Sequence, residues 1–307
     1  MAKAELVTLG WAKSAQPQAG RVSVARIENH AHTPPHDHLF HEIVFIEAGA
    51  AEHLTVEGRR LLRPGDIILI RPWQWHGYEN TRQLTLLNCL IDRRLMNQLA
   101  VTMHHDERAF QLFTRPLPRP RESAPLVLHA APAEGRHSLA LLERIMTETR
   151  CRLAGWEPMA TGALLEFLAM VVRFDARIRL VENLDITDRA QKAVFDTAVW
   201  LEQNAVAKPS LEQLARRAGL SPTHLSHVFS QRMGMGIVAY RNRIRIEEAC
   251  RLLAHTDWSI TEVAARLGYE EIAFFSRMFH QLTGQSPRRY RQARNHPAGA
   301  QLPAVAP

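Results

Sequence analysis

The chain reads as an α+β protein of more than one domain, a small β-barrel with flanking helices followed by an all-α unit. Three observations predict that class. Between residues 21 and 92, short apolar runs alternate with Gly and Pro about every ten residues, the spacing of strands and tight turns. From Ser138 the apolar period lengthens to that of a helix. The final hundred or so residues then repeat one helix-turn-helix pattern, with a helical spacer between the copies.

At 307 residues there is chain enough for two cores, and 46% hydrophobic against 22% charged residues is a globular composition. No run of eighteen apolar residues occurs, so no membrane span is expected. The opening MAKAELVTLGWAKSAQ has lysines but too short an apolar run for a signal peptide. Cys89, Cys151 and Cys250 are odd in number and far apart. That spacing suits neither a disulfide framework nor a zinc cluster and points to a reducing cytoplasm. The net charge of +7 is uneven: residues 186–296 hold 16 Lys and Arg against 10 Asp and Glu, the remainder 22 against 21. Positive charge therefore collects in the repeat, where phosphate contact would use it. A merely solvated, arginine-rich surface fits the charge equally well.

Taken in order, the runs Ile43–Ile46, Leu61–Leu62 and Ile67–Ile70, separated by Gly49, Gly58, Pro64–Gly65 and Pro72, are strands of a barrel or sandwich. The Pro-rich stretch Pro116–Pro125 is a loop. Leu139, Leu142, Ile145, Met146 and Thr149 share one face of a helix, and a second apolar helix covers about Thr161 to Phe174. This pair covers the barrel, joins two subunits, or does both. Arg179–Asp188, ending NLDITD, is the interdomain linker, with Thr187 or Asp188 capping the next helix.

The repeat runs from Leu211 to Arg243 and from Ile260 to Gln292. Ala215, Arg217 and Gly219 recur 49 positions later as Ala264, Arg266 and Gly268. Ser226, Phe229, Gln231, Gly234, Tyr240 and Arg241 recur 50 positions later as Ser276, Phe279, Gln281, Gly284, Tyr290 and Arg291. The slip falls at the turn, where one extra residue does least harm. In the first copy Leu211, Leu214 and Ala215 face inward, Gly219 permits the turn, Ser221 caps the next helix and Pro222 opens it. Burying Leu225, Val228 and Phe229 leaves Thr223, Ser226 and His227 outward. In the second copy, burying Phe275, Met278 and Phe279 leaves Ile272, Ala273, Ser276 and Arg277 outward. The spacer Ile237–Ala254, 18 residues, makes a rod of about 27 Å at ~1.5 Å per residue. Such a rod can hold two recognition helices near one DNA turn apart, roughly 34 Å.

The segment GYEEIAFFSRMFHQLTGQSPRRYR, residues 268–291, carries glycine, aromatic, Ser-Arg and Ser-Pro positions in a specific register. On these residues the C-terminal half resembles the DNA-binding domain of the AraC/XylS family of bacterial transcription activators. The resemblance implies base contacts by Thr223, Ser226 and His227 in the first reader and by Ile272, Ala273, Ser276 and Arg277 in the second. The fork of Arg277 can bond O6 and N7 of one guanine; it can also clamp a phosphate or pair with a glutamate. An exposed His227 need do nothing, and Ile272 and Ala273 can touch only a thymine methyl. Arg241, Arg288 and Arg289 read as phosphate contacts, which position without specifying. Glu270 and Glu271 either repel non-cognate approach or cap the helix.

In the N-terminal half, HDHLFHEIVFIEAG sets His36, His38, Glu42 and Gly49 in the pattern H-x-H-x3-E-x6-G, and RPGDIILIRPWQWHGYEN ends with His76 and Asn80. Residues two apart on a strand share a face, so His36 and His38 can point into a barrel with Glu42 and His76 beside them. This resembles a cupin barrel. The first half-motif matches completely; the second lacks the glycine between proline and histidine and is one residue short from Pro72 to His76. No metal cofactor is therefore assigned, although His36, His38, Glu42 and His76 are the residues that would bind one. Trp73, Trp75 and Tyr78 beside His, Arg and Glu suit a sugar, whose C–H face stacks while its hydroxyls hydrogen-bond. FHEIVFIEAG with LLNCLID resembles the rhamnose-responsive and related sugar-responsive branch of the family. The ligand candidates are His36, His38, Glu42, Arg71, Trp75, His76 and Tyr78, with core packing the competing role for each tryptophan.

The expected organisation is a cupin-like sensing domain over 1–130, a helical dimerisation region over 131–180, a linker over 181–188, a double helix-turn-helix domain over 189–296 and a disordered tail over 297–307. The expected function is a sequence-specific transcription regulator, not an enzyme, answering a small molecule, in first place a sugar. Its partners would be double-stranded promoter DNA, the effector, RNA polymerase and a second copy of itself, with no membrane. The alternatives are a metal-dependent cupin enzyme carrying a DNA-binding tail, and a regulator whose signal is the metal.

Overall fold

A computed structural model describes residues 7–9, 22–103, 106–114, 117, 120–174 and 188–295. Most of the expected linker and the tail 297–307 lie outside the described residues. The N-terminal part is one eight-stranded sheet: β1 (Val7–Leu9), β2 (Val22–Ile27), β3 (Thr33–His38), β4 (His41–Thr55), β5 (Gly58–Leu62), β6 (Asp66–Ile70), β7 (His76–Ile91) and β8 (Leu126–His129). The order is β1-β3-β7-β4-β6-β8, with β2 on β7 and β5 on β4. Between β7 and β8 come α1 (Arg93–Thr102), α2 (Glu107–Ala109), a π-helical turn (Phe110–Thr114) and a 3-10 turn (Pro120–Glu122).

The long strands β4 and β7 decide the shape. Their register shifts between Ile46 and Glu52, where the chain bends. Gly49 sits at that bend with φ +78°, and a Cβ there would lie 2.2 Å from the backbone oxygen of Gln83. Only glycine lets the two strands cross so closely. The HEIVFI run of β4 is buried on both sides because each side meets a different layer. Val44 and Ile46 join Ile68, Ile70, Leu84 and Leu86 inside the curled sheet. Ile43 and Phe45 join Ile67, Leu69 and Leu87 beneath α3 (Pro132–Cys151) and α4 (Trp156–Phe174). The expected pair of helices is thus present and covers the outer face of the sheet, burying Leu141, Leu142, Ile145, Leu164, Phe167 and Leu168. No helix among the described residues is long and apolar enough to cross a membrane.

The C-terminal part is all helical: α5 (Asp188–Gln203), α6 (Leu211–Ala218), α7 (Pro222–Met233), α8 (Ile237–His255), α9 (Ile260–Arg266), α10 (Ile272–Thr283) and α11 (Pro287–Asn295). The sequence predicts the local chemistry closely. Gly219 ends α6 in the left-handed region, and Ser221 Oγ accepts the His224 N–H at the start of α7. Ser210 and Ser259 form capping boxes with Gln213 and Glu262. Leu225, Val228 and Phe229 close the first module, Phe275 and Phe279 the second. The modules also touch directly. Arg245 of α8 donates to the carbonyls of Ala205, Val206 and Ala207 at 2.7, 3.0 and 3.1 Å. Lys208 bonds Glu270 at 2.6 Å.

The two parts dock through mixed contacts. Leu39 and Trp73 bury themselves with Ile246, Cys250 and Tyr290 of the second module, and Phe110 buries itself in the first. Arg93 and Asn97 of α1 reach Glu202 of α5, which also accepts the Tyr240 hydroxyl at 2.6 Å; Arg93 pairs with Glu247 as well.

Candidate ligand pocket and nucleic-acid interface

Strand register assembles the buried polar cluster. His36 pairs with His76 across β3 and β7, and His53 of β4 lies opposite Tyr78 of β7. Glu42 sits where β4 is flanked by β6 and β7. The rings of His36 and His76 are 4.4 Å apart, His38 and His76 5.5 Å, His53 and His76 5.6 Å. His36, His38, Glu42, His53, His76 and Tyr78 are all buried.

Two tautomers are fixed by the backbone. His36 Nδ1 lies 2.9 Å from the Pro34 oxygen and His38 Nδ1 2.9 Å from the Phe40 oxygen. A carbonyl only accepts, so both Nδ1 atoms donate to it; His36 turns its Nε2 elsewhere, while His38 has an acceptor facing each of its ring nitrogens. His38 Nε2 meets Glu42 Oε2 at 2.9 Å, and His76 Nε2 is 3.7 Å from the same oxygen, too far for a hydrogen bond. Among the described residues, neither ring nitrogen of His53 or His76 has a hydrogen-bond partner, nor do the Tyr78 hydroxyl and Asn88 Oδ1. Buried groups left so cost about 1–3 kcal/mol each.

The charges follow from burial. It pushes His76 well below the ordinary histidine value, helped by the neighbouring histidines, and lowers His36 and takes His53 down to about 4. Burial also pushes Glu42 up, but the hydrogen bond and charge of His38 outweigh it, and the carboxyl ends below its usual range. At neutral pH the cluster is a carboxylate hydrogen-bonded to His38 beside the imidazoles of His36, His53 and His76, which burial holds neutral and which each offer one donor and one acceptor. Ligand atoms of His38, Glu42 and His76 all lie within 4.8 Å of one another. With backbone carbonyls orienting His36 and His38, these residues also fit a divalent transition metal.

Of the seven ligand candidates, His36, His38, Glu42, His76 and Tyr78 come together. Arg71 does not join them: its charge acts on His41 and on Arg243 of α8, outside the barrel. Trp75 stays half-buried in the turn before β7. Trp73, weighed above as a sugar-stacking face, is instead an anchor to the helical part, the packing role its sequence also allowed. His53 was missed. It lies beyond the β4 bend, and only the register shift turns it inward.

On the helical side, Thr223 and His227 are exposed at the start of α7 and Ser226 is half-buried. Ile272, Ala273 and Arg277 are exposed on α10, with Ser276 half-buried. Two further exposed residues share these turns, His224 and Phe274, the latter 6.0 Å beneath the Arg277 guanidinium. Arg288 and Arg289 stand exposed in the first turn of α11, whereas Arg241 is half-buried between the modules. The capping role of the acidic pair does not hold: Glu271 occupies the N-cap position of α10 without a side-chain bond, and Glu270 pairs with Lys208.

Comparison with known proteins agrees with this layout. An AraC-like ligand-binding domain matches residues 21–148, and a helix-turn-helix domain matches residues 214–293. The HTH-type transcriptional activator RhaS of Escherichia fergusonii is 30% identical over 266 residues, covering 85% of this chain and 88% of that protein. The chain belongs to the AraC family. It is a DNA-binding transcription regulator with a ligand-binding N-terminal domain. RhaS of an Enterobacter species is 28% identical over 269 residues, again 85% of this chain and 88% of the relative. Among solved structures, ToxT from Vibrio cholerae aligns with a TM-score of 0.48 at 13% identity, over 88% of this chain and 97% of that one.

Proposed function

We propose that this AraC-family regulator binds a sugar among His36, His38, Glu42, His53, His76 and Tyr78 and reads tandem promoter half-sites with α7 and α10. The observation that carries the sugar is the set of buried donors and acceptors without partners: both ring nitrogens of His53 and His76, the Tyr78 hydroxyl and Asn88 Oδ1. A polyhydroxylated ligand supplies donors and acceptors in several directions, and each bond it completes offsets a desolvation cost already incurred. The relatives named RhaS, and the likeness to the rhamnose-responsive branch, support the same class of ligand. Thr223, Ser226, His227, Ile272, Ala273, Ser276 and Arg277 are the proposed base contacts. Arg288 and Arg289 hold phosphate at the start of α11, where the helix dipole assists, and Arg241 serves the backbone between the readers.

The protein acts in the cytoplasm as a homodimer joined through the 131–180 helices. It activates transcription by also touching RNA polymerase, and it turns over no substrate. Titration of the full chain against a panel of sugars, followed by tryptophan fluorescence and binding to its own promoter fragment, tests the pocket. One sugar should change both signals, and His76→Ala should abolish that change while sparing binding to DNA. A panel without a responder ends the sugar reading.

A second reading, a regulator whose signal is a divalent metal, is favoured by the closeness of His38, Glu42 and His76. Metal analysis of the purified protein separates the two, since bound stoichiometric metal lost in Glu42→Gln supports only the second.

A further inference from the structure

The strand that supplies the pocket has a second face. Along β3, His36 and His38 turn into the barrel, so Asp37 between them turns out of it. Asp37 is fully buried and accepts from Arg121 Nε at 2.9 Å. Its charge acts on Cys250 and Tyr290, in the core of the second helix-turn-helix module. The Arg121 guanidinium lies 5.2 Å from the ring of Trp73, which is buried in that same core. At its far end Arg121 reaches the recognition helix. A methyl group added at Gly284 would come within 2.5 Å of Arg121 Nη1. Gly284 is the left-handed C-cap of α10, where the last helical carbonyls and the negative end of the dipole favour a cation.

We propose that Arg121 is a positioning residue, a pin that joins the pocket strand through Asp37 to the C-terminal end of the second recognition helix. A buried carboxylate is costly to strand without its partner. Any shift of β3 that follows contact with His36 or His38 therefore carries Arg121 with it, and α10 must follow or lose its cap contact. Among the described residues, the first reader docks on the sensing domain through α1 and Phe110 rather than through β3. Occupancy of the pocket thus acts directly on the C-terminal end of α10, and on α7 only through the contacts between the modules. The signalling half of this idea rests on the pocket reading above, whereas the mechanical half does not.

The test uses the full chain. Arg121→Ala alone leaves Asp37 buried without its guanidinium and can unfold the domain. The double variant Asp37→Asn with Arg121→Ala carries no buried charge there and keeps the question answerable. Hydrogen exchange at the backbone amides of residues 281–290 should be at least about fivefold faster in the double variant, with α7 unchanged. Arg121→Lys, which restores the charge without the fork, should recover part of that protection. Unchanged exchange in α10, or equal acceleration in α7 and α10, overturns the pin. If the sugar panel yields a responder, the double variant should bind that sugar as the wild type does yet lose its effect on promoter affinity. A retained effect also overturns the pin. If no sugar acts on the wild type, the pocket reading falls and hydrogen exchange alone decides.

Discussion

The backbone carbonyls of Pro34 and Phe40 settle which nitrogen of His36 and His38 faces the barrel interior, and that small choice sets the chemistry of the pocket. The four residues of the half-motifs were legible because a strand's period of two fixes their face. His53 was not, because a bend separates it from them and only the fold restores its direction. Its environment gives a pH prediction. Burial lowers His53 to about 4, while the denatured chain titrates near 6.5. Between those values the unfolded state binds the proton and the folded state does not. Stability is therefore full above about pH 6.5 and falls as pH drops towards 4, by about 3 kcal/mol for this group alone. Urea unfolding across that window should show the loss, and His53→Asn should flatten it; the same slope in both proteins would clear His53 of the effect. On the helical side, Arg277→Ala should relax base preference at one position and cost about 1–3 kcal/mol. Equal losses on specific and scrambled DNA would make Arg277 a phosphate contact instead.

At the scale of the element, caps and turns were the most legible features because their causes lie within a few residues. Ser221, Gly219 and Pro222 all act where the sequence places them. Replacing Ser221 by Ala should cost about 1 kcal/mol in thermal or urea unfolding, with the loss confined to the helical part. The sequence places the starts of α3 and α4 late, at Ser138 and Thr161, because each first turn carries a proline and the regular apolar period begins only after it. The bend at Gly49 was visible only as a turn signal inside what is one continuous strand. Gly49→Ala should prevent correct closure of the sheet, since the new Cβ meets backbone rather than a movable side chain; soluble protein with native near-UV dichroism would contradict that. The first turn of α11 carries Arg288 and Arg289 together. Arg289→Ala should weaken binding to every sequence and reduce the salt slope by about one unit, which binding measured across a salt series will report.

For the whole molecule, the order of units was plain from the change of period and the repeat, but the seam between them was not. Nothing in a linear pattern distinguishes a tryptophan that faces a ligand from one that anchors a neighbouring domain, and Trp73 proved to be the latter. Trp73→Ala should loosen the docking by about 3–5 kcal/mol, so that calorimetry resolves separate melting of the barrel and the helical part where the wild type melts together. A single unsplit transition would mean the polar contacts around Glu202 suffice. Finally, Arg245 clamps three successive carbonyls before Lys208, which itself grips Glu270 in the other module. The readers therefore behave less like beads on a flexible tether than like the jaws of a caliper with a locked hinge. One base pair inserted between the half-sites turns one of them by about 35° around the duplex. On the proposed tandem half-sites a locked caliper cannot follow that rotation, so one inserted base pair should weaken binding unless the DNA twists or bends to compensate.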